Sequence, residues 1–382
     1  MSRLKLTTAG ESHGKALVAI VEGLPSHLRV DAECISETLA LRQSGYGRGA
    51  RQKIEKDRVE ILTGVRNGET LGSPVTLCIY NRDFANWEKA MSDGECDEDV
   101  MRARALTKVR PGHADLTGTL KFAQDDARNV LERASARETA IRVAAGELFR
   151  AYLSELGVEI GGYVREICGV KDETAYAFSD LARAKTTETG ILNAETEIRA
   201  MAKIDELKKA GDTAGGVVEI RVKGLKSGFG SVMTYAEKLD ARLARALMSI
   251  QAVKGVEVGA GFAVASQSGK DVHDEIFHSS DKGFYRETNR AGGLEGGMSN
   301  GEEIVLRVAM KPIPTLMKGL QTVDLQTKQP CVAASERSDV CAVFAMEIIA
   351  EAAVAEVLAN AVAERLGGDT VDEIKARYAL LP

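Results

Sequence analysis

Apolar and polar residues alternate along several short stretches of the chain. In 75–79, 218–223 and 304–310, every second residue carries a large apolar side chain. A period of two places successive side chains on opposite faces of a strand. These stretches therefore predict half-buried β-strands. The nearly continuous apolar run from Leu17 to Val21 predicts a more deeply buried strand.

Helical periodicity is clearest from Ile141 to Leu156, where apolar residues recur every three or four positions and Gly157 follows as a C-cap. The longest helical pattern runs from Val340 to Leu366 and stops at Gly367-Gly368. Because it is rich in alanine, neighbouring elements can approach it closely, and we predict that it lies at the centre of the fold. Shorter helices are predicted over 31–43, 198–210 and 236–250.

The strand patterns occur in clusters separated by helices, without the regular β-α-β alternation of a doubly wound sheet. This order predicts an α+β fold. With 382 residues, the chain is long enough for one large lobe or two fused lobes. The acidic segment 93–99 predicts a solvated loop, and 322–335 predicts a long loop, a kind of segment that often serves function.

The charge of the chain argues against two classes of protein. A net charge of −6 does not suit a nucleic-acid binder or a protein held on a membrane surface. Residues 101–150 nevertheless hold eight Arg and two Lys against six Asp or Glu, a local net charge of +4. A basic region within an acidic protein favours a small anionic ligand.

The six cysteines form no C-x-x-C pair and no pattern typical of secreted proteins, which indicates reduced thiols. The first residues include no apolar signal region, and no uninterrupted apolar run reaches 18 residues. We therefore expect a cytoplasmic protein without a membrane segment.

Two of the five histidines lie in motifs suited to acid–base chemistry. His13 stands between Ser12 and Gly14, in a predicted turn, and His113 follows Pro111-Gly112 two residues before Asp115. Histidine moves protons near neutral pH more readily than other side chains. Taken singly, each is compatible with a local hydrogen-bonding role, because geometry rather than sequence proximity makes a catalyst.

Ser135 to Glu138 matches a capping box, in which Ser135 caps a helix and Glu138 reaches back to it. The positive end of that helix would lie beside Arg133 and Arg137, as in many phosphate sites. The alternative is an ordinary helix start with both arginines in solvent.

Two glycine-rich segments indicate close backbone approach. Residues 45–49 place Arg48 on a predicted flexible loop, and five of the ten residues of 292–301 are glycine. Lys311 to Thr315 then forms a rigid turn with two prolines. Neither a P-loop nor a Rossmann fingerprint is present, and the spacing of His273 and His278 does not suit a metal site.

Together these motifs resemble chorismate synthases. The resemblance runs in order from the N-terminus to the last long helix, with little contribution from 85–100 and 170–215. It is carried by 10–14, 110–115, 133–139, 292–301, 311–315 and 335–339.

The resemblance implies a shikimate-pathway lyase that converts 5-enolpyruvylshikimate 3-phosphate to chorismate by 1,4-anti elimination of phosphate. It implies a requirement for reduced FMN without net redox change. The implied fold is a β-α-β sandwich, with helices between two antiparallel sheets, in a homotetramer. Residues 1–382 would form one domain, with two pseudo-symmetric halves as an alternative description.

The resemblance also implies roles for individual residues. His13 would protonate the departing phosphate, His113 would stabilise the reduced flavin near N1, and Asp339 would assist proton transfer at N5. Residues around the substrate would be Ser12, Arg42, Arg48, Arg110, Arg137 and Arg337, with NADPH as the alternative ligand of Arg42 and Arg48. FMN would contact Arg133, Ala134, Ser135, Gln251, Ala252, Gly296, Met310, Lys311, Pro312, Ile313, Pro314, Thr315 and Arg337. Gln251 departs from the family, which often has Asn or Pro there.

Three questions stay open at this stage. A non-catalytic binder of a phosphorylated metabolite would explain the arginines but not the two glycine-flanked histidines. An ordinary flavin oxidoreductase would consume reductant. The reducing equivalents could come from NADPH directly or through a separate flavin reductase.

Overall fold

The structure is a computed structural model and describes residues 3–49, 56–335 and 338–382. Helices in the described ranges are α1 (Ala32–Gln43), α2 (Glu88–Met91), α3 (Glu98–Arg104), α4 (Asp115–Phe122), α5 (Arg128–Ala134), α6 (Thr139–Ser154), α7 (Ala194–Ala210), α8 (Leu239–Met248), α9 (Gly269–Val272), α10 (Val343–Leu366) and α11 (Val371–Ala379). Short 3₁₀ helices are Arg82–Asn86, Ala136–Glu138, Phe178–Thr186, Tyr235–Glu237 and Gly261–Ser266.

The strands follow the same chain order. They are β1 (Lys5–Ala9), β2 (Ala16–Glu22), β3 (Ser26–Arg29), β4 (Glu60–Thr63), β5 (Val65–Arg66), β6 (Glu69–Leu71), β7 (Val75–Tyr80), β8 (Glu159–Ile167), β9 (Val170–Lys171), β10 (Gly216–Lys223), β11 (Val253–Val258), β12 (Ile276–Ser279), β13 (Gly283–Arg286), β14 (Leu294–Glu295), β15 (Met298–Ser299), β16 (Ile304–Met310), β17 (Gln321–Val323) and β18 (Pro330–Val332).

Two antiparallel sheets carry most of the strand structure. One has the order β1-β2-β7-β4 and the other the order β11-β16-β10-β8-β9. The alternation seen in the sequence sets their register: Leu17 pairs with Ile79 in the first sheet, and Ile220 pairs with Leu306 in the second. All four side chains are fully buried, which explains why the period of two is so clear.

Helices α6 and α10 lie between the two sheets. α6 packs against β2 and β7, α10 packs against β8 and β10, and the two helices pack on each other. At Gly146 of α6 a Cβ atom would come within 2.4 Å of the Ala352 Cβ, so only glycine permits this approach. The predicted α+β sandwich, with an alanine-rich helix at its centre, is confirmed.

Several local predictions need correction. β2 is half-buried rather than deeply buried, because one face of its sheet is open and Ile20 is 39% exposed. The predicted loop 322–335 contains most of the hairpin β17–β18. The acidic loop 93–99 ends in α3, whose first backbone N–H groups are capped by Asp97.

The loop 45–49 is packed rather than freely exposed. Tyr46 donates a hydrogen bond to Asp205 at 3.0 Å, and a Cβ at Gly47 would lie 2.9 Å from the Ile204 side chain. Gly47 also has a φ of +86°, which other residues rarely adopt. These glycines therefore serve close packing.

No helix in the described ranges combines the length and apolarity needed to cross a membrane. Within those same residues, no group of three or more His, Cys, Asp or Glu side chains is arranged to hold a metal ion.

Candidate active site

A cavity of about 490 Å³ lies where the motifs singled out in the sequence converge. Its walls come from the turn after β1, the end of α1, the segments before α4 and around α6, the loops before β11 and after β16, and the first turns of α10. A second cavity of about 390 Å³ lies between α1 and α6 and contains none of the predicted site residues. The larger cavity is the candidate active site.

Most of the predicted site residues line this cavity. They are Ser12, His13, Arg42, Arg48, Arg110, His113, Ala134, Ser135, Arg137, Gln251, Ala252, Met310, Lys311, Ile313, Pro314, Thr315 and Asp339. Residues 300 positions apart in the chain thus meet in one place.

Three predicted residues lie outside the lining. The Arg133 side chain is 45% exposed, and its guanidinium donates to the backbone carbonyl of Gly10 at 3.1 Å. Gly296 forms the turn of the β14–β15 hairpin, and Pro312 lies within the segment whose neighbours Lys311 and Ile313 do line the cavity. Arg337 lies outside the described residues.

His13 is held by a buried carboxylate. Its Nδ1 lies 2.9 Å from Glu132 Oε1, and its backbone N–H donates to Glu132 Oε2 at 2.7 Å. The imidazole also stacks on Trp87 with ring centroids 4.0 Å apart. With Nδ1 engaged in this way, Nε2 is the nitrogen left to meet a ligand.

His113 has the carboxylate partner that its sequence suggested. Nδ1 lies 2.5 Å from Asp115 Oδ1, and Arg110 binds the same carboxylate through Nε at 2.8 Å and through its terminal nitrogen at 3.0 Å. Burial opposes ionisation of Asp115, but its hydrogen bonds to His113 and Arg110 hold its pKa well below the usual range. The carboxylate therefore stays ionised and fixes both side chains.

The helix start at Ser135 differs from the predicted capping box. The Ser135 hydroxyl accepts from the Arg137 N–H at 3.3 Å, at the head of a short 3₁₀ turn that leads into α6. Glu138 does not reach back, because its carboxylate accepts a 2.8 Å hydrogen bond from Thr8 instead. Only the serine half of the prediction holds.

Two of the arginines are fixed before any ligand binds. Arg137 donates to Asn81 Oδ1 at 2.8 and 3.0 Å and to Asp57 Oδ2 at 2.5 Å. Arg42 donates to the Thr139 hydroxyl and to the Ala136 carbonyl. Burial lowers the pKa of Arg42 to about 9, so its guanidinium is still charged at neutral pH. Such fixed donors lose little entropy when an anion binds.

Asp339 lines the cavity beside the packed loop 45–49. Its Oδ1 accepts from the Gly49 N–H at 2.6 Å, and its Oδ2 lies 3.4 Å from Arg48 Nε. The N-cap of α10 is Ala342, so Asp339 does not cap that helix. A role in the cavity is thus favoured over a helix-capping role.

The Gln251–Ala252 segment carries local strain and an unpaired acceptor. Ala252 has a φ of +70°, which is uncommon for alanine and costs about 1–3 kcal/mol. Gln251 Oε1 is buried with no hydrogen-bond partner among the described residues. Strained backbone and an orphan acceptor on a cavity wall together indicate a ligand-contacting segment.

Two lysines approach each other at one end of the cavity. Lys311 donates to the Gly112 carbonyl, and burial and the nearby charge of Lys254 lower its pKa. Lys254 was not predicted, although it follows the singled-out Gln251-Ala252 pair by two residues. Two neighbouring cations predict a place for a phosphate or carboxylate.

The floor of the cavity and two supporting residues were also missed. Ala345, Met346 and Ile349 of α10 form an apolar surface suited to a flat ring. Glu132 and Trp87 orient His13 from positions that no motif indicates. The arrangement as a whole can bind a polyanion, hold an apolar ring and move protons from two oriented imidazoles.

Comparison with known proteins agrees with this geometry. A family model described as chorismate synthase matches residues 4–363. Chorismate synthase from Geobacter metallireducens is 53% identical, covering 98% of this chain and 97% of its own. Chorismate synthase from Caldicellulosiruptor bescii is 52% identical, covering 96% of each chain.

A solved structure gives the same result for the fold. The crystal structure of a chorismate synthase superposes with a TM-score of 0.79 at 40% identity, covering 99% of this chain and 97% of that one. The resemblance inferred from six motifs is confirmed over almost the whole length. This chain belongs to the chorismate synthase family.

Proposed function

We propose that the chain converts 5-enolpyruvylshikimate 3-phosphate to chorismate and phosphate by 1,4-anti elimination. One observation carries the proposal: two carboxylate-bound histidines share a single cavity with several arginines and lysines. The substrate bears one phosphate and two carboxylates, which such a set of cations would match.

Substrate binding is proposed for Ser12 and five arginines. Arg42 and Arg137 are already fixed by Thr139, Asn81 and Asp57, so their charges are oriented in advance. The full proposed set is Ser12, Arg42, Arg48, Arg110, Arg137 and Arg337.

His13 is proposed to donate the proton that the departing phosphate needs. As the C–O bond to phosphate breaks, Nε2 would transfer its proton to a phosphate oxygen. The ring C–H bond that also breaks is unactivated, so a side-chain base alone would be poorly matched to it. When bound, reduced flavin supplies electron density to the allylic system and takes it back.

The cavity fits a flavin. The unpaired Gln251 Oε1 suits an N–H donor of a planar heterocycle, the α10 floor suits its apolar face, and Lys254 and Lys311 suit a phosphate tail. FMN contacts are proposed for Arg133, Ala134, Ser135, Gln251, Ala252, Gly296, Met310, Lys311, Pro312, Ile313, Pro314, Thr315 and Arg337.

Two further proton-handling roles are proposed. His113 would hold a proton at Nε2 for the reduced flavin near its N1, since Asp115 fixes its Nδ1. Asp339 would carry a proton at Oδ2 for flavin N5, since its Oδ1 is bound to the Gly49 N–H.

Three further properties are proposed with the function. NADPH would supply the reducing equivalents, directly or through a separate flavin reductase. The chain would act as a homotetramer, and it would act in the cytoplasm.

The direct test of the reaction is an anaerobic assay with protein, substrate and photoreduced FMN. Chorismate and phosphate are expected to appear at equal rates only when all three are present. Phosphate release without chorismate would indicate a phosphatase, and binding without turnover would indicate a binder of phosphorylated metabolites.

Arg48→Ala is expected to raise the KM for 5-enolpyruvylshikimate 3-phosphate about ten- to a hundred-fold. Loss of one charge-assisted contact to phosphate or carboxylate costs about 1.5–3 kcal/mol. The assay uses photoreduced FMN without NADPH, so it separates the two proposed ligands of Arg48. Arg142→Ala, a surface arginine of α6 bonded to Ser249, is the control.

An unchanged KM for Arg48→Ala in that assay would move Arg48 to the NADPH role. Because the Arg48 side chain is only 10% exposed and lies beside Asp339, some loss of thermal stability is expected as well. If turnover with NADPH as the reductant were also normal, Arg48 would be purely structural, and a lower melting temperature would be the only effect of its loss.

A further inference from the structure

Glu132 anchors the Ser12–His13 turn at three points, two through its carboxylate and one through its main-chain carbonyl. Its Oε2 accepts from the His13 backbone N–H at 2.7 Å and its Oε1 lies 2.9 Å from His13 Nδ1. The main-chain carbonyl of Glu132 accepts from the Ser12 N–H at 2.9 Å. The Glu132 side chain is 2% exposed, so these contacts are shielded from water. A residue of α5 thus sets the position of an imidazole 119 residues earlier in the chain.

Trp87 covers the same imidazole. The two rings stack at 4.0 Å with an interplanar angle of 29°. The indole is itself held by a hydrogen bond to Asp83 at 3.2 Å and by the Arg104 guanidinium 3.9 Å from its ring centre. The His13 ring is therefore restrained both at its edge and on its face.

We propose that Glu132 is the positioning residue for the acid that acts on the leaving phosphate. It orients the His13 ring so that Nδ1 hydrogen-bonds to the carboxylate and Nε2 is presented to the cavity, while Trp87 prevents the ring from turning away. This inference rests on the proposed function of His13. Glu132 acts through His13 and does not itself contact substrate.

The charge state of Glu132 agrees with this role. Burial opposes its ionisation, but hydrogen bonds from His13 and the nearby charge of Arg128 outweigh burial and lower its pKa. The ionised carboxylate accepts from the His13 backbone N–H and lies within hydrogen-bond distance of its Nδ1, so it holds the ring in place. Other charged groups around this cluster are Arg128, 3.6 Å from Glu132 Oε1, Arg104 on the Trp87 ring, and Asp83, which accepts from the Trp87 indole.

The test is a double-mutant cycle with Glu132→Gln and His13→Ala. Glutamine keeps the size of the side chain but removes its negative charge and replaces one of the two acceptor oxygens with an NH₂ donor. Glu132→Gln is therefore expected to lower kcat at least about ten-fold, with little change in the KM for substrate. In the His13→Ala background the same substitution is expected to have no further effect.

A control variant at Glu197 and a second variant at Glu132 accompany the cycle. Glu197→Gln alters a carboxylate that also accepts two hydrogen bonds, from the Thr189 N–H and hydroxyl, but does not line the cavity, and its kcat should be normal. Glu132→Asp keeps the charge on a shorter arm. Glu132→Asp should lower kcat less than Glu132→Gln does, and it should have no further effect in the His13→Ala background. It serves as the test variant if Glu132→Gln fails to fold.

Trp87 provides a readout that does not depend on activity, because it is the only tryptophan in the chain. If Glu132 holds the imidazole against the indole, Glu132→Gln and His13→Ala should change the emission of the ligand-free protein in the same direction. Glu197→Gln should leave it unchanged.

Two results would overturn the inference: additive losses of kcat in the cycle, or wild-type emission in Glu132→Gln. A wild-type protein that forms no chorismate would instead overturn the proposed function, and the emission measurement would still test the positioning of His13.

Discussion

His13→Ala is expected to lower turnover by about 10²–10⁴-fold, the usual contribution of a general acid. The reason is geometric. Glu132 and Trp87 restrain the His13 ring, and the turn after β1 contains no other histidine that could replace it. Flavin affinity should stay nearly intact, because the proposed contact of His13 is with the departing phosphate. Turnover is measured with saturating photoreduced FMN, and flavin affinity by titration.

His273→Ala is the matched control for this variant, since His273 is exposed and does not line the cavity. Its turnover and flavin affinity should both be normal. Turnover of His13→Ala within a few-fold of wild type would remove the acid role from His13. Impaired flavin binding by His13→Ala would place the residue at the cofactor.

His113→Ala is expected to reduce turnover over the same range of about 10²–10⁴-fold and, in addition, to change the spectrum of the bound reduced flavin. Asp115 fixes the His113 ring at Nδ1, which leaves Nε2 for the cofactor. The fold should survive the substitution, because Asp115 keeps its three hydrogen bonds to Arg110, one from the backbone N–H and two from the side chain. Anaerobic absorption spectra of the two histidine variants, recorded with reduced FMN, give the comparison.

The two variants must differ for the proposed roles to stand. Identical flavin spectra for His13→Ala and His113→Ala would remove the distinction between an acid at the phosphate and a proton-bearing group at the flavin. A His113→Ala protein with a wild-type spectrum and low turnover would assign His113 to the substrate instead.

The main architecture could be predicted from the sequence because burial imposes simple periods. β16 buries every second residue, β10 buries its apolar Val218, Ile220 and Val222 together with Glu219, and α10 is apolar on nearly every side because sheet, helix and loop surround it. Exposure of Ile20 was not predictable, because an apolar run does not reveal that one face of its sheet stays open.

Ion pairs between residues that are far apart in the sequence could not be predicted from the sequence. Glu347 and Glu351 lie fully buried within the alanine-rich α10, where the pattern predicts an apolar core. They are stabilised by Lys185 and Arg150 from distant segments, at 2.5–3.0 Å. Buried charges of this kind depend on tertiary contacts and follow no local period.

The candidate site, like the fold, could be predicted from the sequence only in part. Glycine and proline around His13, His113 and Lys311 indicate exposed or close-approach backbone, so those positions could be found. Glu132 could not be assigned, because an acidic residue in a basic region is ordinary until its distance to His13 is known. The same applies to Asp57 beneath Arg137 and to the apolar floor from α10.

The measurement that tests the central claim most directly is the number of chorismate molecules formed per FMN oxidised. Protein, photoreduced FMN and excess 5-enolpyruvylshikimate 3-phosphate are mixed anaerobically without NADPH, while chorismate and the flavin spectrum are followed together. An elimination without net electron transfer predicts many turnovers while the flavin stays reduced. Oxidation of one flavin for each chorismate formed would contradict this account and identify an oxidoreductase.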